Sequence, residues 1–166
     1  MPPIIRKPMA QSFSRNMLFT ISVVIVAFDQ LSKAWVRGNL QPGVSTAFVP
    51  GLLQLRWVRN TGAAFSLFKD STVVLGLLSL VVALVVAWWI ARSRQQPTWQ
   101  GLALACLLGG TVGNGIDRWS AGYVTDFLEL VPIDFPIFNG ADIAINLAVA
   151  CFVIDALSSP NPPSQR

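Results

Sequence analysis

Residues 72–91 read TVVLGLLSLVVALVVAWWIA, a run with no charge and almost no polar group. With about 1.5 Å of rise per residue, a helix of this length crosses the ~30 Å hydrocarbon core of a bilayer. Trp88-Trp89 near its end suits a membrane interface. Composition points the same way: of 166 residues 53% are hydrophobic and 12% charged, with a mean hydropathy of +0.56. A soluble domain carries about twice that charged fraction.

Working outward, three further runs have membrane length, giving expected spans at about 17–36, 72–91, 98–117 and 138–157. The first exceeds the roughly 7–15 apolar residues of a secretory signal and lacks a small-residue cleavage site, so it reads as a retained span. Four spans put both termini on one side. Short loops set orientation most strongly: 92–97 holds Arg92 and Arg94 and no acid, whereas 119–137 holds Asp126, Glu129 and Asp134 and no base. The termini, with Arg6, Lys7 and Arg15, are therefore expected in the cytoplasm.

Residues 38–70 are too polar and too broken by Gly and Pro to span. Leu53-Gln54-Leu55-Arg56-Trp57 alternates with period two and predicts a half-buried strand, paired with 44–49 through a Pro50-Gly51 turn. The fold class expected is a mostly α, polytopic membrane protein in a single domain, 1–166. It has four transmembrane helices, a small extracytoplasmic β-sheet or cradle between the first two, and an extracytoplasmic loop between the last two.

Ionisable groups gather at one edge of this bundle. Asp29 and Lys33 lie in the last third of the first run, Asn114, Asp117 and Arg118 at the outer end of the third, Asp126 in the outer loop and Asp142 where the fourth run begins. Asp29 and Lys33 share a helix face and read either as an ion pair snorkelling to the interface or as part of a polar site. Asp126 as an ordinary loop acid and Asp142 as a helix N-terminal charge are each unremarkable alone; their pairing suggests chemistry. Two neighbouring carboxylates do not readily both ionise, so one holds a proton while the other acts as base, as in aspartic proteases. A helix N-terminus favours ionised Asp142 as the base, although a coupled pair titrates as a unit.

Other chemistries recede. With no His, Ser–His and Cys–His triads and histidine metal sites are excluded; Cys106 and Cys151 lie in apolar runs without ligand spacing, so no metal and no cofactor is expected. The net charge of +4 comes with no basic stripe, so no nucleic acid is expected. The glycines at 109, 110, 113 and 115 suit close helix packing, and no Gly-Lys-Ser/Thr follows to make a phosphate loop. A small channel or transporter subunit is the rival class, but it calls for polar groups near the midplane.

Five blocks in order resemble the lipoprotein signal peptidase (signal peptidase II) family: Asp29-Gln30-Leu31-Ser32-Lys33, Asn60-Thr61-Gly62-Ala63-Ala64-Phe65, Gly109-Gly110 through Gly113-Asn114 to Asp117-Arg118, Val124-Thr125-Asp126-Phe127, and Phe138-Asn139-Gly140-Ala141-Asp142. The resemblance implies an aspartyl endopeptidase of the bacterial inner membrane that cuts before the lipidated cysteine of diacylglyceryl-modified prolipoproteins. Asp126 and Asp142 match its catalytic pair. Asn60, Gly62, Phe65, Asn114, Arg118 and Asn139 match positions that bind substrate or support the site, and Asp29 and Lys33 match a motif beside it. Partners implied are the prolipoprotein, the phospholipid bilayer and globomycin-like inhibitors in the same cleft. Thr125 and Gly140 stand where apolar residues are expected, which predicts looser local packing. The Gly-x-Gly-Asp motif of presenilin-like proteases is absent.

Overall fold

Ser14 has extended backbone and accepts a hydrogen bond from the Met17 amide at 3.3 Å, an N-cap that starts the first helix at Arg15. The computed structural model describes residues 12–62 and 71–158; Phe65 lies outside them. The described helices are α1 (Arg15–Asn39), α2 (Thr72–Arg92), α3 (Thr98–Ala121) and α4 (Gly140–Ser158). Each covers an expected apolar run with shifted ends. α1 and α3 extend further, α3 until Gly122 takes the left-handed conformation (φ 76°) that stops a helix. α4 starts two residues late because Asn139 caps it.

The strands are β1 (Ser12–Ser14), β2 (Ser45–Val49), β3 (Leu53–Asn60), β4 (Gln95–Pro97) and β5 (Val124–Leu130). The predicted hairpin forms: Leu52 N–H donates to Val49 O at 3.0 Å across Pro50-Gly51, and Gly51 supplies the required positive φ of 74°. The connection between α3 and α4, expected as a loop, is in part a strand. β5 pairs antiparallel with β3, giving a sheet of order β2-β3-β5 at the end of the bundle where α1 and α3 finish and α2 and α4 begin. At the opposite end β1 pairs with β4, so the segment just before α1 and the loop between α2 and α3 contribute a two-stranded ladder.

α3 packs against each of the other three helices. One apolar cluster (Leu18, Val86, Ile90, Leu104, Leu108) fills the end near β1 and β4, and a smaller one (Val36, Leu55, Trp57, Phe127) lies under the sheet. Burial is inverted relative to a soluble protein. On α1, Ser22, Asp29 and Lys33 are buried while Val23, Val24, Phe28, Leu31 and Trp35 are exposed. Side chains of that kind belong against hydrocarbon. α1, α2 and α4 are long and apolar enough to cross a membrane. α3 is less apolar than α2 and α4 because, enclosed by its neighbours, it carries glycine, Asn114 and Asp117 where those helices carry leucine and valine.

Candidate active site

The site begins with the cap of α4. Asn139 Oδ1 accepts the Asp142 amide at 3.0 Å, and Asp142 Oδ2 accepts the Asn139 amide at 3.1 Å, a reciprocal capping box. This leaves the Asn139 side-chain amide free to donate, to Asp126 Oδ1 at 2.6 Å and to Asn114 Oδ1 at 3.1 Å. Asn114 Nδ2 donates to Asp142 Oδ1 at 2.8 Å. The two carboxylates are thus tied to the same buried asparagine.

Asp126 sits on β5, where strand alternation turns it away from Thr125. Its other oxygen accepts Asn60 Nδ2, from the end of β3, at 2.8 Å. Asn60 Oδ1 caps the Gly62 amide at 2.9 Å, and Gly62 O accepts Arg118 Nη2 at 3.4 Å. Asn60, Asn114, Arg118, Asp126 and Asp142 line one open cavity of about 740 Å³, together with Arg59, Ile145 and the segment Asp134-Phe135-Pro136-Ile137-Phe138. Burial, with the Asp142 charge beside it, pushes the Asp126 carboxyl up to about 7, against the hydrogen bonds from Asn60 and Asn139 and the charge of Lys33. Two acids that share a cavity, one of them readily protonated near neutrality, can activate a water and polarise a carbonyl.

Asp29 and Lys33 do not snorkel. Both are fully buried, with Lys33 Nζ at 2.8 Å from Asp29, 3.4 Å from Asp117 and 3.0 Å from Asn114 Oδ1. Asp29 Oδ1 also accepts the Ala141 amide at 2.9 Å, which fixes the start of α4. This polar layer lies directly behind Asn114: the pair is a buried ion pair tied to a residue that lines the cavity, not one reaching for the interface. Every sequence-expected residue within the described part of the chain belongs to one connected network.

Several members have no assigned role in the sequence reading. Asp117 accepts the Thr125 amide at 2.9 Å, and Gln30 Nε2 bridges Asp29 (3.2 Å), Gly113 O (3.0 Å) and Asp117 (3.3 Å). Asp117 stood in the last turn of a run with no visible partner, and its partners come from α1 and β5. Thr125 does not loosen the packing: it is fully buried, and its hydroxyl accepts Arg37 Nη1 at 3.0 Å. Asp134 and Phe135 carried no periodicity to single them out.

The sequence profile of the family described as signal peptidase (SPase) II matches residues 21–158. The chain belongs to this family. A lipoprotein signal peptidase of Parasynechococcus marenigrum is 54% identical over 145 residues, covering 87% of this chain and 91% of that protein. One from Synechococcus sp. is 56% identical over 134 residues, covering 80% and 89%. Among solved structures, a bacterial membrane enzyme determined by the in meso method at 2.3 Å resolution superimposes with a TM-score of 0.84 at 25% identity, covering 96% of this chain and 98% of that one. Membership in a signal peptidase family makes the chain a protease and displaces the channel or transporter alternative.

Proposed function

We propose that this chain removes the signal peptide of diacylglyceryl-modified prolipoproteins, cleaving before the lipidated cysteine, with Asp126 and Asp142 as the catalytic aspartates. The observation that carries this reading is the shared asparagine: Asn139 hydrogen-bonds both carboxylates at the wall of one cavity. Ionised Asp142, at the N-terminus of α4, takes a proton from a water held between the acids. Protonated Asp126 donates to the scissile carbonyl as that water attacks. Asp142 passes the proton it took from water to the leaving amide nitrogen, the C–N bond breaks as Asp126 takes back the proton from the re-forming carbonyl, and the pair again holds a single proton. No resident metal or cofactor enters this scheme; among the described residues no acid, Cys or His cluster has metal-binding geometry.

The same reading assigns four spans, with α3 as the enclosed one, in a single domain of the bacterial inner membrane. Both termini are cytoplasmic, and the β2-β3-β5 sheet and the cavity face outward. The cavity meets the outer leaflet there, so a substrate with two acyl chains and a single-span leader enters sideways from lipid. Arg118 and Asn114 hold the walls, and the outer strand region, with Asn60 and Phe65, folds over the peptide as a clamp. A globomycin-like peptide occupies the same cavity and competes with substrate. Cross-linking that finds this region remote from bound substrate refutes the clamp.

The deciding experiment is cleavage of a lipidated prolipoprotein by purified protein. Asp126→Asn and Asp142→Asn each lose turnover on the order of 10²–10⁴-fold or more while still folding. Near-normal turnover by either variant removes that residue from the pair, and inhibition by a chelator overturns the metal-free scheme.

A further inference from the structure

Behind Asp126 lies a ring of contacts that the chemistry above does not use. Arg37, in the last turn of α1, donates through Nη1 to Thr125 Oγ1 at 3.0 Å and to Asp117 Oδ1 at 3.5 Å. Asp117, on α3, accepts the Thr125 backbone amide through Oδ2 at 2.9 Å. Thr125 is therefore gripped at its hydroxyl and its amide by residues from two helices, and the next residue is Asp126. Alternation along β5 sends Thr125 into the protein and Asp126 into the cavity.

The β3–β5 ladder is irregular at this point. Leu55 pairs with Leu128 and Val58 with Asp126, so β3 carries one extra residue opposite the stretch leading to Asp126. A bulge beside a functional side chain leaves its strand less firmly registered by the ladder alone. We propose that Arg37 and Thr125 are positioning residues, which together with Asp117 lock the β5 backbone so that the Asp126 carboxyl stands in register with Asp142. This rests on Asp126 being catalytic.

The arrangement makes the idea testable without stranding a buried charge. Asp117 keeps Lys33 at 3.4 Å when Arg37 is replaced, and the Arg37 side chain is 31% exposed, so its removal opens no sealed void. The test is steady-state cleavage of a lipidated prolipoprotein by the full chain in lipid nanodiscs, with melting profiles recorded in parallel. Thr125→Val and Arg37→Gln each lower kcat about tenfold with KM within about twofold, the pattern of a displaced catalytic group and not of lost binding. Thr125→Ser, which keeps the hydroxyl, stays within about twofold of wild type in kcat. The double variant is no slower than the slower single variant, because both substitutions release one grip.

Wild-type kcat for Thr125→Val, equal losses in Thr125→Val and Thr125→Ser, or single losses that multiply in the double variant each overturn the proposal. Should Thr125→Val fail to melt cooperatively, Arg37→Gln and Thr125→Ser decide. Asp126→Asn run alongside separates the two levels. If it cleaves normally, the catalytic assignment has failed; if it is inactive while Arg37→Gln and Thr125→Val keep wild-type kcat, only the grip has failed.

Discussion

α2 and α3 have similar lengths, 21 and 24 residues, and pack against one another, yet they are built from opposite materials. α2 buries only Leu75, Gly76, Val86 and Ile90 and exposes valine, leucine and tryptophan around the rest of its circumference. Half of α3 is buried, and its buried positions include five glycines together with Thr111, Asn114 and Asp117. The difference follows from what each helix touches. A lipid-facing helix gains from large apolar side chains everywhere, whereas one enclosed by three others needs small residues for close approach and partnered polar groups for chemistry. Strong hydropathy therefore marks contact with hydrocarbon, and α3, which supplies Asn114 and Arg118 to the cavity wall, is less apolar than α2.

If that division of labour is right, substitutions on α3 cost function and those on α2 do not. Asn114→Ala has the largest expected effect, a fall in kcat of about a hundredfold for cleavage of a lipidated prolipoprotein. It removes the amide that donates to Asp142 at 2.8 Å, together with the oxygen that accepts from Lys33 and Asn139. A kcat near wild type breaks the comparison outright. A smaller effect is expected from pH. On the proposed mechanism Asp126, held up to about 7, is protonated when it donates to the carbonyl, so kcat should fall about tenfold between pH 6 and pH 8. The same displacement acts on stability. A carboxyl whose folded value is raised contributes fully below its unfolded value near 3.8, and the contribution disappears as pH rises through about 7. The melting temperature should then drop between pH 5 and pH 8, and drop less in Asp126→Asn. A flat kcat profile across this range shows that Asp126 is not the proton carrier.

The contrast also explains what the sequence revealed. Runs such as 72–91 announced themselves because lipid contact demands uninterrupted apolar residues, and the Pro50-Gly51 hairpin was visible because its turn chemistry is local. The paired acids were legible because Asp126 and Asp142 are costly in so apolar a chain. β5 was not, since Val124–Phe127 is buried on both faces and shows no alternation, and its partner β3 is far away in sequence. β1 and β4, three residues each, are too short for any period. Asp117 and Gln30 could be seen as polar residues, but their roles depend on contacts between α1, α3 and β5 that only the folded chain creates.

The finest discrimination comes from glycines on the two helices. A Cβ at Gly110 of α3 meets the Ala141 carbonyl oxygen at 2.5 Å and Ile145 Cγ1 at 2.7 Å, so α4, with Asp142 on it, must move. Gly110→Ala is expected to destabilise by about 1–3 kcal/mol, an overpacking cost that lowers the melting temperature by roughly 2–4 °C per kcal/mol.

At Gly76 of α2 the three atoms nearest the added methyl all belong to the Trp119 ring, the closest at 3.3 Å, and that residue is 56% exposed, so its ring has room to tilt. Alanine gains about 0.5–1 kcal/mol over glycine in a helix interior, which offsets the crowding of Trp119 and the strain on its 3.2 Å hydrogen bond to Gly76 O. Gly76→Ala should therefore melt within about 2 °C of wild type, with unchanged turnover. If it instead falls as far as Gly110→Ala, α2 is seated on α3 as tightly as α4 is, and the bundle has no loose, lipid-tolerant side for the difference between the two helices to reflect.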